Sequence, residues 1–236
     1  MTKKTLAIFS LTSCEGCQFE MLNSYMEFNG LLKFFELKNF RLGQEDNFDG
    51  PFDVAVVEGS PEGERQIKLL RTVRKESKIL VAMGACAHLG GIQSERNSDL
   101  PKYPVKEKVK PAIKVVKFDY IVPGCPIDHH ELYACLMDIY WGKKFALPDP
   151  AVCFECRQNE NECLLKQDKP CLGPITRMGC NSVCVNAGEA CLGCRGPKPE
   201  ANIQKLKRQI EPLIGKQETN NILTIYGDLE INNKLQ

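Results

Sequence analysis

Thirteen cysteines, distributed very unevenly, constrain this chain more than any other feature of its sequence. Five are spread thinly over residues 1–150, whereas eight crowd into residues 153–194. The odd total excludes complete internal disulfide pairing, and so many spaced thiols in a reducing compartment are more typical of metal binding. The change in cysteine density, beside the two prolines of residues 147–152, predicts a boundary between an ordered body and a cysteine-dense module.

Charge and hydropathy exclude several function classes. The 31 basic and 30 acidic residues nearly cancel, which argues against a nucleic-acid binder. No apolar stretch approaches the roughly 20 residues that span a bilayer. The opening MTKKTLAIFSLTSC has a short apolar run without a small-residue cleavage site, so it is typical of a first buried strand rather than a signal peptide. The sequence therefore predicts a cytoplasmic protein without a membrane span.

The body has the pattern of an α/β fold. Short apolar, β-branched runs end in glycine or turn residues, and such runs suit parallel strands covered on both faces. Charged segments with an apolar stripe separate them and predict helices at 61–77, with Pro61 in the first turn, and at 128–142, with Asp128 as the cap. Strand–helix alternation predicts an open, mainly parallel, flavodoxin-like sheet. The predicted strands are 5–11, 52–59, 78–84 and 118–124, with 34–42 as a possible further strand.

Three regions follow from these patterns. Residues 1–148 form the predicted flavodoxin-like domain, although the polar stretch 92–117 carries no assigned structure. Residues 149–198 form a Cys-rich, mostly irregular module. Residues 199–236 are predicted to hold a C-terminal helix over 201–213 and a polar tail, in which ILTIYG (222–227) has the pattern of a strand.

Four of the five dispersed cysteines follow predicted strands. Cys14 and Cys17 come after the first strand, Cys86 after 78–84, and Cys125 after 118–124. Because the carboxyl ends of parallel strands meet at one rim of a sheet, we expect these four thiols to lie close together. Cys135 instead shares a helix face with apolar residues and is predicted to be a core residue.

Four thiolates suit either a zinc ion or an iron–sulfur cluster. Structural zinc favours two local CxxC pairs, and only one such pair, Cys14 and Cys17, occurs in the body. A thioredoxin-like dithiol would leave Cys86 and Cys125 without a role. The pattern therefore favours a four-iron cluster.

The dense module supplies eight thiolates, enough for two further sites of four. The ferredoxin run C-x₂-C-x₂-C-x₃-C-P is absent, and the two CxxC pairs lie farther apart than in a zinc ribbon. A sequential partition is the simplest, with interleaving as the competing arrangement. Lys169, Arg177 and Arg195 are candidates for offsetting thiolate charge, although each alone is typical of a solvated surface residue. The two sequential sets are Cys153, Cys156, Cys163 and Cys171, and Cys180, Cys184, Cys191 and Cys194.

The motifs CEGC, VEGSPEGE, MGACAHLGG, VPGCP and CFEC…CLGP…CLGCRGP occur here in one order. In this combination the chain resembles the small subunit of [NiFe] hydrogenases, over roughly residues 5–197. It is most similar to the cytoplasmic group that includes sulfhydrogenase delta subunits and the small subunits of F420-reducing and methyl-viologen-reducing hydrogenases. The resemblance implies an electron-transfer chain with no catalytic residue of its own, whose Ni–Fe site lies on a separate large subunit.

The resemblance also implies three [4Fe–4S] clusters and their ligands. It further implies a flavin/NAD(P)-, F420- or ferredoxin-type subunit as electron partner. In the periplasmic branch of the family a histidine takes the place of Cys153 and a proline that of Cys184. The implied ligands are Cys14, Cys17, Cys86 and Cys125 for the proximal cluster, Cys153, Cys156, Cys163 and Cys171 for the distal cluster, and Cys180, Cys184, Cys191 and Cys194 for the medial cluster.

Several polar residues near these motifs receive only modest roles. Glu15, Glu20 and Glu58 lie near the proximal site, where they could relay protons or orient the partner, but we expect them to be surface carboxylates or to support the proximal ligands. We expect His88 to bond to backbone, and His129 and His130 to be ordinary surface or rim residues.

Two other functions fit the same cysteines. One is a related iron–sulfur subunit of a quinone- or heterodisulfide-reductase-type complex without hydrogenase activity. The other is a zinc-stabilised scaffold without redox function.

Overall fold

The structure is a computed structural model that describes residues 2–93, 109–227 and 229. It divides into two compact units, Met1–Ala146 (unit 1) and Leu147–Gln236 (unit 2). The Cys-rich segment and the C-terminal helix both fall within unit 2.

Unit 1 is built on a parallel sheet. Its described strands pair in the order β2-β1-β3-β4-β5, and every pair is parallel. This is the strand order of flavodoxin, so the predicted α/β class and flavodoxin-like sheet are confirmed. The possible strand at 34–42 is present as β2. The strands are β1 (Lys4–Ser10), β2 (Phe35–Phe40), β3 (Phe52–Glu58), β4 (Ser77–Met83) and β5 (Tyr120–Val122).

Apolar residues of the strands bury both faces of this sheet. Leu6 and Ile8 pack on one face, and Ala7, between them, packs on the other. This alternation follows from the two-residue period of a strand. Helices carry the apolar residues that cover each face, which explains why the strands are apolar almost throughout. The helices of unit 1 are α1 (Gly16–Asn23), α2 (Tyr25–Leu31), α3 (Gly63–Glu76), α4 (Gly84–Leu89) and α5 (His129–Tyr140).

The two predicted helices of the body are present, with one boundary changed. Asp128 caps α5, because its carboxylate accepts from the backbone N–H of His130 at 2.8 Å and of Glu131 at 3.3 Å. Pro61 is not in the first turn of α3, since that helix begins at Gly63 after the extended residue Glu62. The short helices α1, α2 and α4 were not predicted.

Part of the stretch 92–117 is ordered and buried. Residues 94–108 lie outside the described residues. In the remainder, Val109 and Ala112 are buried, and a 3₁₀ turn spans Ala112–Lys114. The polar composition of the stretch gave no indication of these buried apolar residues. Ala112 packs on the face of the sheet that α3 covers.

Unit 2 contains little regular structure before its last helix. A 3₁₀ turn at Leu164–Gln167 separates its first two short helices. A small buried cluster at α6 and α7 includes Cys171 and Cys191 beside Val152, Leu164 and Val185. Further apolar side chains of unit 2 are buried outside this cluster, among them Leu172, Ile175, Leu206 and Ile210. The described helices are α6 (Val152–Gln158), α7 (Val183–Asn186) and α8 (Ile203–Thr224).

The prediction of a strand at 222–227 is wrong. Ile222 and Leu223 belong to α8, where both are buried together with Thr219. The spacing of these three positions is that of one helix face, and the β-branched composition of the segment did not reveal it. The helix is interrupted at Gly215, whose φ is 80°. None of the described helices combines the length and apolar character needed to cross a bilayer.

Candidate metal centres

The first candidate centre begins directly after β1. An antiparallel bridge between Thr12 and Ser60 fixes the chain beside the end of β3. Glu15 then adopts a left-handed conformation, with φ 61°, and α1 starts at Gly16. As a result Cys14 is exposed, whereas Cys17, in the first turn of α1, is 7% exposed.

Cys86 and Cys125 approach from the next strands of the same rim. Cys86 lies in α4, which follows β4 without a loop, and Cys125 follows β5 by three residues. Burial raises the pKa of Cys86 to about 12, and the negative charges of Cys125 and Cys14 add to this effect. Burial also raises the pKa of Cys17, to which Glu58 and Cys86 contribute. Cys86 therefore lies near each of the other three dispersed cysteines, and the structure brings all four to one rim.

Glycines make room for two of these sulfur atoms. A Cβ atom on Gly84 (φ 84°) would lie 2.6 Å from Cys17 Sγ, and one on Gly91 (φ 61°) would lie 2.5 Å from Cys86 Sγ. Neither position would accept a side chain without displacing a thiol. The backbone here is therefore shaped around the sulfur atoms.

Glu58, at the end of β3, supports this centre from inside. Its side chain is buried, and it accepts from the backbone N–H of Cys17 at 3.1 Å and from the Gln18 side-chain amide at 2.7 Å. Burial raises the pKa of the Glu58 carboxyl, while these donors act in the opposite direction. Of the two roles expected from the sequence, surface or supporting, the structure gives Glu58 the supporting one.

In unit 2, the first four cysteines of the dense module also come together. Cys153 and Cys156 lie one turn apart on α6. Burial raises the pKa of Cys153 to about 11, with further contributions from Cys171, Cys156 and Cys163. Gly173 lies against the group, since a Cβ there would be 3.4 Å from Cys153 Sγ and 3.5 Å from Cys171 Sγ.

The last four cysteines lie around α7 and the turn after it. Cys184 is exposed on α7, whereas Cys191 is buried. Burial raises the pKa of Cys191, and the charges of Cys171 and Cys194 contribute. The proximity of Cys191 to Cys171 brings the two sets of the module close to each other.

Two charged residues lie beside Cys180: Glu155, which the sequence did not indicate, and Arg195, whose type is typical of the surface. Glu155 of α6 is buried and accepts from the backbone N–H of Gly179 at 2.8 Å and of Ser182 at 3.4 Å. Arg195 is 1% exposed and donates through Nε to the carbonyl of Met178 at 2.9 Å. Burial raises the pKa of Cys180, Glu155 raises it further and Arg195 lowers it. Arg195 is therefore not the solvated surface residue that its type suggests.

Hydrogen-bonded amides connect the two halves of the module. Asn159 Nδ2 donates to Asn181 Oδ1 at 2.9 Å and to Ser182 Oγ at 2.9 Å. Asn161 Nδ2 donates to Asn186 Oδ1 at 2.6 Å, and Asn186 Nδ2 to the carbonyl of Asn181 at 2.8 Å. These bonds hold α6 and α7 together beside the small buried cluster that contains Val152 and Val185.

The chemistry of the first two groups fits a metal centre, and in the third group Cys194 raises the pKa of Cys191 in the same way. None of the thirteen cysteines, all within the described residues, forms a disulfide. Thiols that raise one another's pKa ionise readily only when a cation is present, and a metal ion or cluster supplies that charge. Cys135 stands apart, because it is fully buried in the apolar core of unit 1, as predicted.

Comparison with known proteins identifies the family. Residues 14–139 match the family model described as NADH ubiquinone oxidoreductase, 20 Kd subunit. The chain is 36% identical to the sulfhydrogenase 2 subunit delta of Pyrococcus furiosus, over 90% of this chain and 94% of that relative. It is 28% identical to the delta subunit of the NAD-reducing hydrogenase HoxS of Cupriavidus necator, over 62% of this chain and 83% of that relative.

A solved structure supports the same assignment. A chain in the crystal structure of an NAD⁺-reducing [NiFe]-hydrogenase in the H₂-reduced state is 26% identical, with a TM-score of 0.56. The match covers 62% of this chain and 96% of that one. The resemblance to hydrogenase small subunits is thereby confirmed, and with it iron–sulfur binding and a large-subunit partner as properties of the family. The chain belongs to the NADH ubiquinone oxidoreductase 20 Kd subunit family, and within that family it is an electron-transfer small subunit of a hydrogenase.

Proposed function

We propose that this chain holds three [4Fe–4S] clusters in a cytoplasmic [NiFe] hydrogenase. When bound, the clusters would supply one-electron redox chemistry, connecting the Ni–Fe site of the large subunit with a flavin-, F420- or ferredoxin-type partner. The observation that carries the proposal is the convergence of Cys14, Cys17, Cys86 and Cys125 at one rim of a flavodoxin-like sheet.

The residues around that rim favour one ligand set for the proximal site. Gly84 and Gly91 leave room for the sulfur atoms of Cys17 and Cys86. Glu58 fixes the first turn of α1 through the backbone N–H of Cys17. A hydrogen bond of this kind, behind the ligand, fixes the position and orientation of the ligand.

The first half of the module supports the sequential partition of its eight cysteines. Cys153, Cys156, Cys163 and Cys171 influence one another's pKa, which supports a shared distal site. We assign Cys180, Cys184, Cys191 and Cys194 to the medial site. The buried guanidinium of Arg195 offsets negative charge beside Cys180.

Exposed apolar residues indicate which surface of unit 1 binds the large subunit. Phe19, Tyr25 and Met26, on α1 and α2, are 54%, 70% and 82% exposed, respectively. They follow Cys17 within ten residues. Large exposed apolar side chains are characteristic of protein interfaces, so we assign this surface of unit 1 to the large subunit.

Metal analysis of the complex tests the proposal. We expect anaerobically purified complex to contain about twelve iron and twelve sulfide per copy of this chain, as three four-iron clusters require, together with nickel on its partner. Cys17→Ser should remove about four iron, whereas Cys135→Ser, its control in the core, should remove none. Zinc without sulfide would contradict the proposal in favour of a scaffold, and iron without nickel would favour a complex without hydrogenase activity.

A second variant tests the order of the sites. Cys153→Ser should impair electron transfer to the external acceptor while H/D exchange at the large subunit continues. Loss of exchange in a correctly assembled complex would contradict the distal assignment of Cys153.

A further inference from the structure

A second group of potential metal ligands lies in unit 1 and contains no cysteine. It consists of Glu27 on α2 and His129 and His130, the first two residues of α5. His129 Nε2 lies 3.4 Å from Glu27 Oε2, and His130 Nδ1 lies 3.3 Å from Glu27 Oε1. The carboxylate of Glu27 therefore faces one nitrogen of each imidazole ring.

Each of these separations, one to each oxygen of the Glu27 carboxylate, is close to the length of an edge of a tetrahedral zinc site. Zinc binds histidine nitrogen and carboxylate oxygen at about 2.0–2.1 Å, so two ligand atoms in a tetrahedron lie about 3.4 Å apart. The candidate ligand atoms of all three residues lie within 4.8 Å of one another. An ordinary N–H···O hydrogen bond would be shorter, at about 2.9–3.0 Å.

A second carboxylate orients one of the imidazoles. His129 Nδ1 lies 2.8 Å from Glu20 Oε1, so that an Nδ1–H group can donate to this carboxylate while Nε2 faces Glu27. A carboxylate behind a histidine in this way is the usual second contact of a metal-binding imidazole. The ring of Tyr133 packs edge-on against His129 with 5.9 Å between centroids and further limits its rotation.

Simple ion pairing explains the group less well. The ring centroids of His129 and His130 are only 4.1 Å apart. Two imidazolium ions at that distance repel each other, and their place in the first turn of α5 is unfavourable for positive side chains. Two neutral imidazoles can share a metal ion, whose charge Glu27 and Glu20 would offset.

We propose that Glu27, His129 and His130 bind Zn²⁺ or a similar borderline divalent cation, with a fourth position open to water. Glu27 and His130 also line a cavity of about 460 Å³, which provides room for the remaining ligand. The site would tie α2 to the start of α5. It is chemically distinct from the cysteine centres, because its ligands are nitrogen and oxygen only.

Zinc titration of the assembled, cluster-loaded complex tests this site. After dialysis against a mild chelator, the complex is titrated with Zn²⁺ against a chromophoric competitor, and the bound zinc is characterised by X-ray absorption. We expect one zinc with a nitrogen/oxygen shell at about 2.0–2.1 Å and no sulfur shell near 2.3 Å. Iron per chain should not change, which shows that the cysteine sites keep their own metal.

Matched variants identify the ligands. His130→Gln and Glu27→Gln, both at exposed positions, should abolish this zinc without affecting folding. Glu20→Gln keeps all three ligands and should weaken binding by about 10–100-fold. Glu36→Gln, another exposed carboxylate, is the control and should have no effect. Unchanged zinc affinity in His130→Gln, a sulfur shell in the spectrum, or no zinc bound to the native complex would overturn the proposal.

Discussion

The carboxylate of Glu58 lies at the end of β3 and accepts a hydrogen bond from the backbone N–H of Cys17 at 3.1 Å. Its other oxygen accepts from the Gln18 amide at 2.7 Å, and its side chain is 1% exposed. Both donors belong to the first turn of α1, so one buried side chain connects the central strands with the helix that carries a proposed ligand. The geometry of the rim therefore depends on a residue that binds no metal itself.

Removing this acceptor should destabilise the protein. Glu58→Ala leaves two buried donors without a partner, and we expect it to lower the free energy of unfolding by about 1–3 kcal/mol. Glu58→Gln keeps one acceptor oxygen and should cost less. Thermal unfolding of the cluster-loaded chain measures both. Glu64→Ala, at an exposed position on α3, is the control, and an equal effect at Glu58 and Glu64 would contradict the assigned role.

Gly84 offers a separate test of the space around Cys17. Gly84→Ala combines an unfavourable φ of 84° with a Cβ atom 2.6 Å from the sulfur. Gly142→Ala has a similar φ of 68° but no atom within 4 Å of the new Cβ. We expect both to cost about 1–2 kcal/mol from the left-handed backbone, and only Gly84→Ala to lose iron. Full iron content in folded Gly84→Ala would exclude a metal centre shaped by this contact.

Asp53 gives unit 1 a defined dependence on pH. Burial by itself would raise the pKa of Asp53, but hydrogen bonds from Lys78 and Thr5 outweigh burial and lower it. A lowered folded-state pKa stabilises the fold above the ordinary value of about 4, and this stabilisation is lost as the pH falls through the folded-state pKa. Asp53→Asn should therefore cost about 1–2 kcal/mol at pH 7, and the difference should narrow below about pH 4.

Urea unfolding of the metal-free chain measures this effect. Trp141 is the single tryptophan and packs against Phe34, so its fluorescence reports on unit 1. Lys78→Met removes only an ion pair whose lysine is 78% exposed and should cost about 0–1 kcal/mol. A difference between Asp53→Asn and the native chain that stays constant from pH 7 to pH 3 would rule out this linkage.

The exposed residues of α1 and α2 provide a test of the partner surface. Phe19→Asp or Met26→Asp should reduce recovery of the large subunit in co-purification at least tenfold, since loss of a central apolar contact commonly costs about 2 kcal/mol. Phe48→Asp is the control. Phe48 is 53% exposed but lies beside Lys38 and the amino end of β3. Equal recovery with Phe19→Asp and Phe48→Asp would place the large subunit elsewhere.

The sequence predicted the sheet well because its strands are buried on both faces. Runs such as 52–59 are apolar at nearly every position, and only a parallel sheet covered by helices accepts them. Helices α1, α2 and α4 escaped prediction because each has only eight residues or fewer, too short to show a helical period. At 222–227 local β propensity suggested a strand, but burial on one side of α8 determined the structure.

The cysteines of the rim were predictable for a topological reason, since parallel strands deliver their carboxyl ends to one edge. The positions of Glu155 and of the group formed by Glu27, His129 and His130 could not be predicted. Their contacts join segments separated by about 25 residues for Glu155 and about 100 for Glu27, and no local spacing signals such pairs. The burial of Arg195 depends likewise on the surrounding turns.

The two units differ in how their cysteines relate to the apolar core. The large apolar clusters of unit 1 consist mainly of side chains that bind no metal, so a ligand at its rim can change without removing the core. In unit 2 the buried cluster that includes Val152 and Val185 has five residues, and two of them, Cys171 and Cys191, are proposed ligands. Evolution can therefore retune or discard the centre of unit 1 on an intact scaffold, whereas a substitution of Cys171 or Cys191 in unit 2 alters a ligand and the packing of its apolar cluster together.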